Sequence, residues 1–141
     1  FCPLGGWVTD RLVIRWGINR GRALVGATGM ILAAVSIVLG AFTESPYAAI
    51  ALLSLGAGWL YFPVGAYWSS TVDISKRHAG TLSGLMNTGA NLGGALSPTL
   101  TPWLAEQVGW SGALGCAACV ALVGGLMWSQ IRPGGGVAVQ R

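Results

Sequence analysis

The chain has 141 residues, of which 53% are hydrophobic and 9% are charged, and it carries a net charge of +4. A soluble domain ordinarily has about 25% charged residues, so this chain has too few charges to cover a surface that faces water. The composition excludes an ordinary soluble domain and indicates an integral membrane protein.

Long uncharged runs follow one another along the chain. They cover residues 23–43, 45–72, 79–105 and 107–131. Each run provides the roughly 20 apolar residues that a helix needs to cross a bilayer. Backbone polar groups inside lipid must bond within their own segment, so each run is predicted to be a helix. Residues 1–9 are uncharged but too short to span, and no initiator methionine precedes them, so we interpret the chain as a fragment.

These runs predict the organisation of the whole chain. We expect the end of a transmembrane helix at 1–9, a basic motif loop at 10–22, transmembrane helices at 23–43, 47–72, 79–105 and 110–131, a loop at 73–78 and a tail at 132–141. The predicted fold class is therefore an all-α membrane protein with four transmembrane helices plus the end of a fifth. No signal peptide and no soluble domain are recognised.

The basic residues predict the orientation of these helices. All 8 lysines and arginines fall in the segments 10–22, 73–78 and 132–141, whereas the other two connections carry only Glu44 and Glu106. Four crossings place the three basic segments on one side, and lysine and arginine are enriched on the cytoplasmic side. We expect a multi-pass protein of the cell (inner) membrane with a cytoplasmic C-terminus. The positive charge thus reflects topology, and no nucleic-acid partner is predicted.

The first basic loop has an ordered pattern of glycines and charges. It reads Gly5-Gly6-Trp7-Val8-Thr9-Asp10-Arg11-Leu12-Val13-Ile14-Arg15-Trp16-Gly17-Ile18-Asn19-Arg20-Gly21-Arg22. An ordinary basic loop explains the arginines but not their order. Gly6 would let a neighbouring helix approach closely. Asp10, the one acid in the loop, can contact a helix N-terminus or an arginine in one conformation and release it in another. We interpret as a gating motif the residues Gly6, Asp10, Arg11, Arg15, Gly17 and Arg20.

This pattern resembles the cytoplasmic loop signature of the major facilitator superfamily, Gly-x-x-x-Asp-Arg-x-x-x-Arg-x-Gly-x-x-Arg. That family has the signature between helices two and three, and a more degenerate copy between helices eight and nine. Since four predicted spans follow the motif, the resemblance implies the last third of a twelve-helix fold, whose partner is the missing N-terminal half of the same protein. No enzyme is expected, because no acid, base and nucleophile converge.

Two stripes run along the predicted helix 79–105 at four-residue spacing. The polar stripe is Ser83, Asn87 and Asn91, and the small-residue stripe, roughly opposite, is Gly89, Gly93 and Ser97. We expect the small stripe to pack closely against another helix. Asparagines in lipid must face either another helix or a watered cavity, so the polar stripe packs or lines a substrate path.

Aromatic residues and prolines complete the candidate residues. Trp59 and Tyr61 lie near the middle of the second span and join the polar stripe as substrate-cavity candidates, with packing as the alternative for both rings. Proline removes a helical hydrogen bond, so helix kinks are expected at Pro63, Pro98 and Pro102. The three cysteines lack further ligands, and no metal or cofactor is predicted.

The run from Gly80 to Pro98, followed by Gly109-Trp110, is similar to the eleventh helix of the anion:cation symporter branch of the superfamily. This resemblance implies alternating-access transport of a small organic anion, such as a sugar acid or other carboxylate, coupled to protons or sodium. No predicted span contains an ionisable residue, so the charge-binding groups are expected outside this chain. A multidrug or other solute exporter of the superfamily and a non-transporting sensor remain open alternatives.

Overall fold

The computed structural model describes residues 1–75 and 77–132, and these residues form five α-helices and no β-strand. The helices are α1 (Cys2–Trp16), α2 (Ile18–Ala41), α3 (Pro46–Tyr61), α4 (Val64–Ile74) and α5 (Ala79–Ser129). The all-α class is confirmed. Lys76 and the predicted tail beyond Arg132 lie outside the described residues.

Three stretches of the chain are long and apolar enough to cross a membrane: Ile18–Ala41, Pro46–Ile74 and Ala79–Ser129. The last is a single helix by its hydrogen bonds, but a straight helix of its 51 residues would be about 77 Å long. That length is more than twice a hydrocarbon core of about 30 Å. Its one non-helical residue, Gly109, divides it. The number of membrane crossings stays a prediction.

Gly17 and Gly109 form the same sharp turn between two helices. Their dihedral angles are φ 82°, ψ 164° and φ 78°, ψ 164°, in a region that favours glycine. After Gly17 the chain reverses, so that Val8 of α1 packs against the cluster around Val25 of α2. The segment 10–22, expected as a loop, is helical on both sides of Gly17, because charged residues are tolerated where helices emerge from the lipid.

Pro63 interrupts the second apolar stretch between α3 and α4. The missing N–H of proline removes one helical hydrogen bond. Phe62 keeps helical dihedral angles, Pro63 departs from them with φ −84° and ψ 3°, and the helix resumes at Val64. Pro98 and Pro102 lie inside α5 without non-helical dihedral angles. Bending of the helix axis at those two prolines stays a prediction.

Helix α2 lies at the centre of the described structure, and α1, α3, α4 and α5 all contact it. Its buried residues are mostly small: Gly21, Val25, Gly26, Gly29, Ala33, Ala34, Ser36 and Gly40. A Cβ atom on Gly29 would lie 2.8 Å from Cδ of Pro63, and one on Gly21 would lie 2.7 Å from the backbone nitrogen of Val13. Small residues therefore let the backbones approach, and dispersion between closely packed helices stabilises the bundle.

Several buried serine and threonine hydroxyl groups are paired inside their own helices, whereas the buried hydroxyl of Tyr67 has no partner among the described residues. Thr9 donates to the carbonyl of Gly5 at 2.6 Å, and Ser70 donates to the carbonyl of Ala66 at 2.7 Å. Ser36 bonds the carbonyl four residues before it in the same way. Since unpaired polar groups are costly in an apolar surrounding, these bonds permit small polar residues between the helices.

Two long-range contacts show that the first two basic segments and the C-terminal end of α5 share one end of the bundle. Arg22, at the start of α2, forms an ion pair with Asp73, at the end of α4. The indole N–H of Trp128, at the end of α5, donates to the carbonyl of Arg22 at 3.2 Å. At the opposite end, the hydroxyl of Ser111 donates to the carbonyl of Ala41 at 3.0 Å. We call the first of these ends the basic end.

Candidate functional site

The polar stripe lies on the first half of α5 and begins where that helix meets α4. The hydroxyl groups of Ser83 and Thr71 are hydrogen-bonded at 2.8 Å, so Ser83 contacts the end of α4. The side-chain N–H of Asn91 donates to the backbone carbonyl of Asn87 at 2.8 Å, and both asparagines are exposed. The three predicted cavity residues of α5 therefore follow one another along the helix from a packed start to an open face.

The two asparagine side chains retain most of their hydrogen-bonding capacity. An amide has two N–H donors and a carbonyl oxygen, and the bond to the helix backbone uses one donor of Asn91. The amide of Asn87 has no partner among residues 1–75 and 77–132. Since the backbone bond orients the amide of Asn91, its second N–H is available to an anionic oxygen.

The two aromatic cavity candidates occupy different surroundings. The ring of Trp59 meets those of Phe1 and Phe62 edge to face, with centroids 5.0 and 5.5 Å apart, beside the cluster around Val25. The ring of Tyr61 is 65% exposed. Trp59 thus packs inside the described chain, an arrangement that favours the packing alternative for this residue, whereas Tyr61 remains open to a partner.

The small-residue stripe is exposed. A Cβ atom on Gly89 or Gly93 would have nothing within 4 Å in the described part of the chain. Gly93 and Ser97 line a groove of about 450 Å³ whose other wall, including Cys116, belongs to the second half of α5. The close helix packing predicted for this stripe stays a prediction, and the tight glycine contacts lie on α1, α2, α3 and the second half of α5.

The predicted gating motif lies along α1 and the start of α2. Asp10 is exposed and forms no ion pair with another described residue. The guanidinium of Arg11 lies 4.6 Å from the centroid of the Trp7 ring, a cation–π contact. Arg15 and Arg20 are exposed. Gly17 supplies the turn described above.

The close approach expected at Gly6 occurs at the neighbouring glycine. A Cβ atom on Gly5 would overlap the carbonyl oxygen of Phe62, whereas a Cβ atom on Gly6 would meet nothing within 4 Å. Gly6 lies on the side of Gly65, whose own Cβ position is 3.5 Å from the Cα of Gly6. Both glycines therefore lie where α1 approaches the junction of α3 and α4. Only at Gly5 is the contact so close that a larger residue would not fit.

The ion pair between Arg22 and Asp73 was not predicted from the sequence. The two side chains are 12% and 25% exposed. Arg22 lies near the N-terminus of α2 and Asp73 near the C-terminus of α4, so each charge has the same sign as the helix end that carries it. Their pairing offsets both repulsions. A signal was present, because Asp73 is the one acid of the second basic segment, as Asp10 is of the first.

Trp128 joins three helices next to this ion pair. Its N–H bonds to the backbone of Arg22, and its ring meets that of Tyr67 edge to face, with centroids 4.3 Å apart. The position that a Cβ atom would take on Gly26 overlaps the indole ring. Gly26 thus leaves the space that Trp128 occupies between α2 and α4. Together, Trp128 and the Arg22–Asp73 ion pair connect α2, α4 and α5 at the basic end.

Comparison with known proteins assigns this geometry to a family. The model of the Major Facilitator Superfamily matches residues 1–138. A probable sulfoacetate transporter of Cupriavidus necator is 36% identical over 110 residues, which cover 75% of this chain and 25% of the relative. A chloroplastic ascorbate transporter of Arabidopsis thaliana is 27% identical over 135 residues, which cover 95% of this chain and 25% of the relative.

A hexuronate transporter of Bacillus subtilis is 29% identical over 127 residues, which cover 86% of this chain and 30% of the relative. The chain thus spans about a quarter of the length of the curated relatives that it matches. No solved structure matches it.

Proposed function

Because the chain belongs to the major facilitator superfamily, we propose that it is the C-terminal part of a secondary transporter that moves a small organic anion across the cell membrane. The relatives named above are transporters of sulfoacetate, ascorbate and hexuronate, which are small, negatively charged and rich in oxygen. This common chemistry supports a carboxylate or related oxyanion as the substrate. Alternating access, driven by protons or sodium, and a cytoplasmic basic end are part of the proposal.

One observation carries the proposal for this chain: the open amide face of Asn87 and Asn91 on α5. Two asparagines are costly against lipid, and neither amide packs against another helix in the described chain. Amide N–H groups donate to carboxylate oxygens without adding a fixed charge. They therefore suit a path through which an anion has to pass. In this proposal, charged groups on the remaining helices of the protein balance the negative charge of the substrate.

The basic end supports a second element of the proposal, a gate. Alternating access requires contacts that form in one state and break in another. The Arg22–Asp73 pair links the first turns of α2 to the last turn of α4, and Trp128 adds α5. Asp10 is exposed and unpaired within the described residues, so it is available to form a contact in a different state.

The test is to replace the amides of Asn87 and Asn91 in the full-length protein. Each Asn→Leu change removes one substrate hydrogen bond, worth about 1–3 kcal/mol. The substrate concentration for half-maximal uptake should therefore rise roughly 5- to 150-fold. Thr99→Leu is the matched control, because it makes an equally apolar change at an exposed position of the same helix, about 120° away from Asn87 and two turns beyond Asn91. It should leave that concentration within twofold of the parent.

Thermal stability in detergent separates this outcome from a packing role. Interhelical hydrogen bonds in membranes average about 0.6 kcal/mol, so a packing amide would show its loss as a lower melting temperature. If both leucine variants melt earlier and the surviving folded protein binds substrate like the parent, the asparagines hold helices together and the proposed path is wrong.

A further inference from the structure

A polar groove opens at the basic end between the start of α2 and the end of α5. Its volume is about 390 Å³, and its lining is Asn19, Arg20, Ala23, Ser129, Ile131 and Arg132. We call it the basic groove. Both of its arginines are exposed, and neither meets a carboxylate within residues 1–75 and 77–132. Two uncompensated guanidinium groups beside the N-terminus of α2 favour an anion.

A second groove lies on the same pair of helices, deeper in the apolar region. It has a volume of about 190 Å³ and is lined entirely by apolar residues: Ala34, Val35, Val38, Leu39 and Leu122. We call it the apolar groove. Large side chains that line it, such as Val35 at 49% and Leu39 at 54%, are exposed. In a membrane protein this surface faces lipid or another apolar segment.

The two grooves share one side of the seam between α2 and α5. Ala23 and Ala34 are about three helical turns apart, and Leu122 and Ser129 about two turns apart, so each pair lies on one face of its helix. The distance from Ala23 to Ala34 along α2 is about 17 Å. One leaflet of a bilayer has a hydrocarbon depth of about 15 Å, half of the usual core. The basic groove therefore lies at headgroup level when the apolar groove lies near the end of an acyl chain.

We propose that this seam binds an anionic phospholipid, with its phosphate between Arg20 and Arg132 and one acyl chain running along α2 and α5 to the apolar groove. A guanidinium forms paired hydrogen bonds with phosphate oxygens, which explains two arginines at this level. Between the grooves the exposed side chains include the apolar Ile31 and Leu126, and the exposed hydroxyl of Thr28 is bonded to the carbonyl of Leu24 in its own helix. The site is separate from the amide face of α5 and assigns Arg20 a role beyond the gating motif.

The lipid site can be tested on the full-length protein by native mass spectrometry in detergent. The probes are phosphatidylglycerol, phosphatidylethanolamine and inorganic phosphate. Each arginine near a charged headgroup contributes about 1 kcal/mol, so the double variant Arg20→Gln/Arg132→Gln should bind phosphatidylglycerol roughly 30-fold more weakly. The control Arg15→Gln/Arg77→Gln removes the same charge from exposed positions outside the groove. It should bind like the parent.

A second pair of variants tests the acyl chain and stays informative if the arginine variant does not fold. Val38→Trp fills the apolar groove and should weaken phosphatidylglycerol binding, whereas Ile50→Trp, at an exposed position of α3, should not. Equal losses in both arginine double variants would show general charge attraction only and would overturn the proposed site. Equal affinity for phosphatidylethanolamine, or displacement of the lipid by inorganic phosphate with no effect of Val38→Trp, would overturn the proposal.

Discussion

The ion pair between Arg22 and Asp73 allows a quantitative test of how the basic end is held together. Asp73→Asn keeps the size of the side chain and removes its charge. The guanidinium of Arg22 then remains at the N-terminal end of α2, 12% exposed and without its carboxylate. The guanidinium loses its attraction to the carboxylate and is still repelled by the positive N-terminal end of α2. Both effects destabilise the folded state, so the variant should be less stable than the parent.

The exposure of the pair sets the expected magnitude. Removing one partner of a fully buried pair costs about 3–5 kcal/mol, whereas exposed pairs contribute about 0–1 kcal/mol. Arg22 and Asp73 are 12% and 25% exposed, between these limits, and asparagine still accepts one hydrogen bond from the guanidinium. We therefore expect Asp73→Asn to lower the unfolding free energy by about 2 kcal/mol.

Unfolding of the full-length protein by SDS in mixed micelles measures this loss. Asp10→Asn is the matched control, since it removes an exposed acid from the same end with no ion-pair partner among the described residues. It should change the unfolding free energy by less than about 0.5 kcal/mol. A double-mutant cycle consists of Asp73→Asn, Arg22→Gln and the double variant Arg22→Gln/Asp73→Asn. It should give a coupling energy between the two side chains above about 1 kcal/mol.

Two results would refute this reasoning. If Asp73→Asn and Asp10→Asn have the same effect, the charge of Asp73 matters only through the net charge of the basic end. If the Arg22 and Asp73 changes add without coupling, the two side chains do not stabilise one another in the folded protein.

Three further predictions concern topology, gating and packing. Single cysteines at Ser45 and Gln107 should react with an impermeant thiol reagent from outside intact cells, and labelling only after permeabilisation would reverse the orientation. Asp10→Asn should slow transport several-fold with unchanged binding and stability, and unaltered uptake kinetics would leave the motif as a topology signal alone. Gly26→Ala should lower the melting temperature in detergent because its Cβ would overlap Trp128, and an unchanged melting temperature would show that the tryptophan can move aside.

The sequence predicted the helical class well because lipid imposes one requirement on every span. Uncharged runs located the apolar helices, but charges mark where a helix leaves the lipid and not where it ends. This is why α2 begins at Ile18, ahead of the predicted start at residue 23, and includes Arg20 and Arg22. The same reasoning placed the basic segments together, and the ion pair between Arg22 and Asp73 joins the first two of them.

Contacts between distant residues were harder to predict. Nothing in the spacing of Arg22, Asp73 and Trp128 shows that they meet, because their pairing depends on how α2, α4 and α5 pack. Small residues at four-residue spacing predict close packing without identifying the partner helix. The stripe with Gly89 is exposed in the described chain, whereas Gly26, which belongs to none of the stripes singled out in the sequence, admits a tryptophan.

The single-residue turns at Gly17 and Gly109 restrict how the protein can change shape. A connection of one residue contributes two Cα–Cα steps of about 3.8 Å, so the adjoining helix ends stay within about 7.6 Å of each other in every state. Neither helix of such a pair can slide along the other or shift by a turn of about 5.4 Å without unwinding. In the proposed transport cycle, α1 and α2, and likewise the two halves of α5, can therefore change the angle between them at the glycine but cannot slide past one another.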